Sequence, residues 1–334
     1  REAVVGDARL SVVEAWVMSF LNRRDEAEWA LQNAANADYE GPLPDGASSV
    51  EASSVLLRAG FPWGDVGRMK VAARRAFELE GRQDSMWSVT VHVQLGWALV
   101  LSGDFEAARP YLLHAARVAP ITGQWLNAFG AVCLLALVCL EGDDLDEAER
   151  WAREGLQMAQ DHGLAETAPG GWAYATLGEV LARDGRTEQA EHLLSKGVEQ
   201  LRTGAQPLIL IQALLGLATV RRALGASEDA RAILAEARAM IHDCTDPGIL
   251  AERLEVVARG LSPAYRRLSG LGELTDRELE VLRLLEKDLS KREIGSTLFL
   301  SYNTIHSHTR SIYRKLNASS RLDAIARGRE LGLL

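Results

Sequence analysis

A motif of small and apolar residues returns along most of this chain at intervals of about 40 residues, and it narrows the possible folds more than any other feature. In its fullest form it reads Leu95-Gly96-x-x-Leu99-x-x-x-Gly103-Asp104-Phe105-x-x-Ala108. It recurs as Leu177-Gly178-x-x-Leu181-x-x-x-Gly185-x-x-x-x-Ala190 and as Leu217-Ala218, Gly225 and Ala230. A slipped copy has Leu135-Ala136, Asp143, Leu145 and Ala148, and weaker copies sit at Arg24-Asp25 and Gly64-Asp65. A unit of this length with a turn at its centre specifies stacked helix hairpins. The Gly or Ala at the second motif position lets two helices approach. The Gly before the second helix stops the first, and the later Ala marks where the hairpin pinches closest.

About six such hairpins cover residues 1–245. The pattern resembles a tetratricopeptide array. The copy from Leu95 to Pro120, with Ala115 and the closing Pro120, fits that family best, although the period is longer than usual. An irregular all-helical bundle is the alternative. The segment from Gly41 to Gly46 reads as a loop between the first two hairpins, and a short helix is expected from Gly248 to Arg259. Residues 260–274, with Ser262-Pro263, Ser269-Gly270 and Gly272, read as a linker.

The last 60 or so residues are organised differently. Thr275 with Glu278, and Ser290 with Glu293, are capping boxes that start two helices. Ser301 and Ser320 are N-cap candidates for two more. Short connections between them force sequential neighbours to pack together. In the third helix, from Tyr302 to about Leu316, Ile305, Thr309, Ile312 and Leu316 form a stripe to be buried. Opposite lie Asn303, His306, Ser307, Arg310 and Arg314, none of them acidic and all able to donate hydrogen bonds. Such a face suits the major groove of DNA, where acceptors line the floor and phosphates the walls; a merely solvated basic face is the other reading.

Leu274-Thr275-x-Arg277-Glu278-x-x-Val281-Leu282, Leu289-Ser290-x-x-Glu293-Ile294, Leu298-x-x-Ser301-x-x-Thr304-Ile305-x-x-His308, Ile312-Tyr313-x-Lys315-Leu316 and Arg321 together resemble the LuxR/FixJ-type helix-turn-helix. The resemblance implies that the helix after Ser290 is scaffold and the one after Ser301 is the recognition helix. It implies base contacts from His306, Ser307 and Arg310, and backbone contacts from Lys291, Arg292, Ser301, Asn303, Thr304, Arg314 and Lys315. The last helix carries Leu322, Ile325, Ala326 and Arg329 on one strip, through which heads of this family pair. Two positions depart from the pattern. His306 stands where the family usually has Lys, so a fixed charge is lost. Asp288 stands where Gly is usual, and a left-handed conformation there would cost about 1 kcal/mol.

Charge divides along the same line. From Thr275 onward, 11 Lys and Arg face 8 Asp and Glu; the preceding part carries 26 against 38, within a whole-chain charge of −9. Only the C-terminal part can approach phosphate without repulsion. No apolar run is long enough to span a membrane. Three cysteines, Cys133, Cys139 and Cys244, at irregular spacing suggest no disulfide framework and a cytoplasmic location. Neither Cys133 with Cys139 nor His306 with His308 can share a metal ion on one helix, being on different sides of it. There is no phosphate-loop, H-E-x-x-H or G-x-S-x-G motif, and His92, His114, His162 and His192 are scattered at positions expected to be solvated or capping, so no enzyme is expected.

These residues make an all-α chain: a tetratricopeptide-like helical-hairpin solenoid over 1–259, a linker over 260–274, and a four-helix LuxR-type domain over 275–334. Trp125 with Asn127, and Trp172 with Tyr174, on first helices of hairpins, are the candidates for an effector site, of a kind that suits a sugar-like or peptide ligand; the alternative is that they are core. The whole resembles the C-terminal portion of MalT-like, or LAL, bacterial transcription regulators. Without an initiator Met the chain reads as a fragment, and the resemblance implies an ATP-binding module upstream of Arg1, with no cofactor in the chain itself. It implies duplex DNA, an effector or partner protein at the repeats, and RNA polymerase as partners. A helical-repeat interaction scaffold whose C-terminal bundle does not bind DNA is the competing function.

Overall fold

The computed structural model describes residues 6–37, 39–41, 43–82, 84–204, 206–261, 274–287, 289–298, 300, 302–316, 318, 320–331 and 333–334. These form 17 helices and no strand. The chain divides into two compact units, Arg1–Glu255 and Val256–Leu334.

The first unit is six antiparallel hairpins. They pair α1 (Ala8–Phe20) with α2 (Arg24–Asn36), α3 (Val50–Gly60) with α4 (Val66–Glu80), and α5 (Ser88–Leu101) with α6 (Phe105–Val118). They continue with α7 (Trp125–Glu141) and α8 (Leu145–Asp161), α9 (Ala168–Arg183) and α10 (Thr187–Leu201), and α11 (Pro207–Ala223) and α12 (Ser227–His242). At the turn of each, the backbone passes through the left-handed region at one corresponding position. Gly64, Gly103, Gly185 and Gly225 take φ of 79°, 80°, 83° and 82°, while Asn22 and Asp143 take 57° and 58°. Asn and Asp are the side chains that tolerate this region best after Gly. This explains the slipped copy of the motif: Asp143 does the work that Gly does elsewhere.

The small residues of the motif sit at the closest approaches. A Cβ on Gly178 would lie 2.7 Å from Leu194 Cγ and 3.1 Å from the Leu194 amide nitrogen, and one on Gly96 would lie 2.4 Å from Leu112 Cδ2. Ala108, Ala148, Ala190 and Ala230 are completely buried. The first helices of successive hairpins touch one another in a row, whereas the second helices do not pair closely, so the first helices form the inner side of the array. The apolar run from Phe129 to Leu140 in α7 is buried on every face, as a helix flanked on all sides must be.

His92 departs from expectation. It is buried rather than solvated, its ring stacked 4.1 Å from His114 and edge-on to Phe77, with Nδ1 2.7 Å from the Ser88 carbonyl. Burial holds its imidazole below the usual histidine range.

After α12 no further hairpin stacks. Residues 243–249 turn back to the α3–α4 turn, where Asp246 and Asp65 form an isolated parallel bridge. The Val66 amide donates to the Asp246 carbonyl at 2.8 Å, and the Asp246 amide donates to the Gly64 carbonyl at 3.0 Å. The Ile249 amide donates to the Leu101 carbonyl at 2.9 Å. Helix α13 (Leu250–Gly260) follows, two residues later than the expected start at Gly248.

The second unit holds α14 (Asp276–Glu286), α15 (Lys291–Leu298), α16 (Tyr302–Lys315) and α17 (Arg321–Glu330). Both expected capping boxes form. Thr275 Oγ1 accepts from the Glu278 amide at 3.2 Å and the Glu278 carboxylate accepts from the Thr275 amide at 2.7 Å; at Ser290 and Glu293 the two distances are 3.3 and 2.8 Å. Ser320 caps α17 through the Asp323 amide at 3.1 Å. Asp288, Ser301 and linker residues 262–273 lie outside the described residues.

Candidate nucleic-acid interface

The interface is built on α16, and its position is fixed by the apolar side of that helix. Ile305, Ile312 and Leu316 join Leu274, Val281, Leu282 and Leu285 of the first helix region, Ile294 of α15 and Ala324 of α17 in one buried core. Thr309, the polar member of the stripe, is 1% exposed and returns its hydroxyl to the Ile305 carbonyl at 2.7 Å. Burying this face costs nothing unpaired and sets the rotation of the helix about its axis.

The step from α15 into α16 is tight. The Leu300 amide donates to the Gly295 carbonyl at 2.8 Å, and a Cβ on Gly295 would lie 2.8 Å from the Leu300 carbonyl oxygen. Two arginines hold helix ends. Arg277 donates to the Leu298 carbonyl at 2.8 Å, at the end of α15. Arg321 donates to the Leu285 carbonyl at 3.0 and 2.5 Å and to the Leu289 carbonyl at 2.8 Å. The terminal carbonyls of a helix lack partners within it, so a cation there satisfies them and complements the dipole. The positioning role of these two arginines was not legible from spacing, which marks them only as motif members.

Against this frame the opposite side of α16 presents His306, Ser307 and Arg310, all exposed. Lys291, at the start of α15, donates from Nζ to His306 Nδ1 at 3.1 Å. An ammonium only donates, so Nδ1 is the acceptor in this contact. Arg292 is exposed on the same first turn of α15 and Thr304 is partly buried. The side chains of Asn303 and Arg314 lie outside the described residues, as does Ser301.

Lys315, expected at the DNA backbone, is engaged within the domain in this structure. Its ammonium lies 2.6 Å from Glu278 Oε2, with the two side chains 20% and 5% exposed. A lysine at the end of α16 reaches back over the core because a buried carboxylate without a cation would be costly. Burial alone would raise the Glu278 carboxyl, but the bonds from Lys315, Ser311 and the Thr275 amide outweigh it and hold the group below the usual range.

On α17 the buried residues are Ala324 and Gly328, one turn apart. Leu322 is 80% exposed, Ile325 is partly buried, and Ala326 and Arg329 are exposed; Arg329 pairs with Glu286 at 2.9 Å.

The four candidates in the repeats are not brought onto one open surface. Trp125 stacks on His162 with centroids 4.2 Å apart, and Asn127 donates to Thr90 and Gln124, each at 2.9 Å. Trp172 packs edge-on to Phe129 in a buried cluster, and Tyr174 is buried with its hydroxyl 3.1 Å from Lys196 Nζ. Trp125 and Tyr174 are thus taken up by the second helix of their own hairpins, and Trp172 by the preceding hairpin.

Known proteins resemble both parts. The family described as the MalT-like TPR region matches residues 59–283, and that described as bacterial regulatory proteins of the luxR family matches residues 272–327. A nitrate/nitrite response regulator protein homolog of Haemophilus influenzae is 37% identical over 91 residues, a match covering 24% of this chain and 44% of that protein. The chain thus corresponds to less than half of that relative's length. The spore germination protein GerE of Bacillus subtilis is 38% identical over 61 residues, covering 18% of this chain and 82% of GerE. Among solved structures, a Rap protein complexed with Competence and Sporulation Factor aligns with a TM-score of 0.56 at 14% identity, over 97% of this chain and 86% of that one, a likeness of fold alone. The hairpin array with its small-residue approaches, and the four helices that expose one face of α16, are thus features of recognised families: the chain belongs to the MalT-like TPR region family and carries at its C-terminus a domain of the luxR family of bacterial regulatory proteins.

Proposed function

We propose that the chain is a sequence-specific DNA-binding transcription regulator acting in the cytoplasm, with α16 entering the major groove. The observation that carries this reading is the exposed, acid-free face of His306, Ser307 and Arg310 on a helix whose other face is locked into the core. Arg310 supplies a donor fork for a guanine edge. His306, whose Nδ1 is taken by Lys291, presents an imidazole edge there where the family usually has a fixed charge. Arg292 and the first turn of α15 take phosphate, as helix starts do. Residues 275–334 are the DNA-binding domain, 260–274 the linker and 1–259 the part that senses an effector or partner protein. Two heads pair on DNA through Leu322 and its neighbours on α17, since a domain with so small a net positive charge contacts few phosphates by itself. No cofactor is assigned to this chain.

The test is selection of bound duplexes from a random pool by the full chain, followed by salt titration on the enriched sequence. Enrichment of a two-fold site with affinity falling steeply with salt is expected; a pool that stays random sinks the reading.

A further inference from the structure

The segment after α12 starts no further hairpin but runs back along the inner row of helices, from the α3–α4 turn past Leu101 and Glu141 to Glu179. It is held at three points. At Asp246 the main chain pairs with the α3–α4 turn through the Gly64 carbonyl at 3.0 Å and the Val66 amide at 2.8 Å, while the carboxylate accepts from the Gly67 amide at 2.9 Å. At Ile249 the amide donates to the Leu101 carbonyl at the end of α5. At Arg253 the guanidinium bonds to Glu141 of α7 and lies 4.0 Å from Glu179 of α9. Leu250 and Leu254 add buried apolar anchors, and Ile249 Cγ2 lies against Gly103.

The seat is shaped for close passage of a main chain. A Cβ on Gly64 would lie 2.7 Å from Cys244 Sγ, and one on Gly248 would lie 2.2 Å from the Leu101 carbonyl oxygen. Helix α13 itself makes no close pairing with any described helix of the array. The segment is therefore held by main-chain pairing on one turn, a carboxylate at the start of α4 and an arginine between two carboxylates. Asp246 pairs as a single bridge and Arg253 is presented from the first turn of α13, so backbone bonds supply affinity at one point and a charged pocket sets register, as in peptide recognition. A stacked hairpin would be held by an apolar helix interface instead.

We propose that the inner face from the α3–α4 turn to Glu179 is a peptide-recognition site, filled in cis by residues 244–253. In trans it accepts a peptide with an acidic residue followed, at the Asp246–Arg253 spacing, by an arginine. A trans peptide that takes the seat lifts the chain's own segment from the array and frees the stretch that leads out of the repeats.

The probe is a labelled synthetic peptide with the sequence of residues 243–255, titrated by fluorescence anisotropy into the full chain and into its Asp246→Ala/Arg253→Ala variant. The covalently attached segment competes at high effective concentration, so the variant should bind the peptide at least about ten-fold more tightly than the parent. A peptide with its Asp246 and Arg253 positions exchanged should bind neither. Hydrogen exchange at the Val66 amide, whose acceptor is a main-chain carbonyl, should quicken in the variant and slow again when peptide is added. Equal binding to parent and variant, or no binding to a variant of unchanged circular dichroism, overturns the proposal. If the double variant loses helical signal, Arg253→Gln carries the same comparison, and the absence of any gain in peptide binding there is equally decisive against it.

Discussion

Lys315 Nζ and Glu278 Oε2 lie 2.6 Å apart, and the same oxygen accepts the Thr275 amide at 2.7 Å. The last turn of the helix proposed to read DNA is thereby tied to the first turn of α14. The sign of its pH dependence follows from the depressed Glu278 carboxyl. It contributes stability that is in place above its ordinary value of 4.5 and is lost as pH falls through the lower folded value. Lys315→Met leaves the carboxylate buried without its cation and should cost the C-terminal unit about 3 kcal/mol at neutral pH, measured by urea denaturation. If Lys315→Met instead keeps full stability and merely flattens the salt dependence of DNA binding, the lysine is a phosphate contact after all.

Arg310→Ala should weaken binding to the selected site by about 1–3 kcal/mol while leaving random duplex nearly untouched. Arg292→Ala should weaken both alike and reduce the slope of log affinity against log salt by about 0.9. Equal losses on both DNAs for Arg310→Ala would remove it from the base-reading set.

Leu322 is the most exposed large apolar residue of α17, whereas Ile325 is partly buried. Leu322→Glu is therefore the cleaner probe of pairing between heads. It should abolish cooperative binding to a two-fold site and leave the melting temperature within a degree or two, since exposed positions away from special contacts change stability little. Unchanged cooperativity in a gel-shift titration would exclude this face of α17 as the contact.

Glu179 is set among Gln212, Arg253, Arg183 and Glu141, and burial pushes its carboxyl up to about 7, with Arg253 opposing. A carboxyl raised on folding penalises the folded state above that value, and the penalty is relieved as pH falls from 7 towards 4.5. Glu179→Gln should stabilise the array at pH 8 by about 2 kcal/mol and by much less at pH 5. Thermal melts at the two pH values check this; a constant difference would show that ionisation of Glu179 is not the cause.

The hairpins were legible because each turn needs a left-handed residue and each pinch a small one, and Gly103, Gly185 and Ala108 announce these needs locally. The face of α16 was legible for the same reason: Ile305, Ile312 and Leu316 recur at helical spacing, and whatever lies opposite must be outside. What spacing could not show was the choice a long side chain makes among partners. Lys315 read as a cation for phosphate and Arg329 as part of the pairing strip, yet each pairs with a carboxylate on α14, Glu278 and Glu286, that is distant in sequence. Trp172 and Tyr174 read as candidates for a ligand because a first helix of a hairpin looks inward, but Trp172 packs on Phe129 of the preceding hairpin and Tyr174 on Lys196 of its own. The return of Asp246 to the α3–α4 turn had no signal at all. Its bonds are main-chain bonds, to which side-chain patterns are blind.

That return alters how the array should come apart. In a linear stack each hairpin is held only by its neighbours, so structure frays inward from either end. Here Gly67 and Asp246, 179 residues apart, are joined, and the helices from α5 to α12 lie inside the loop they close. Losing any hairpin within that loop opens the closure, so these helices should melt as one cooperative block, while α1 and α2, outside it, fray separately. The kinetic counterpart is a late step. A contact of such long range forms only after the intervening hairpins have condensed, and the array should refold quickly to a nearly native stack that then closes slowly.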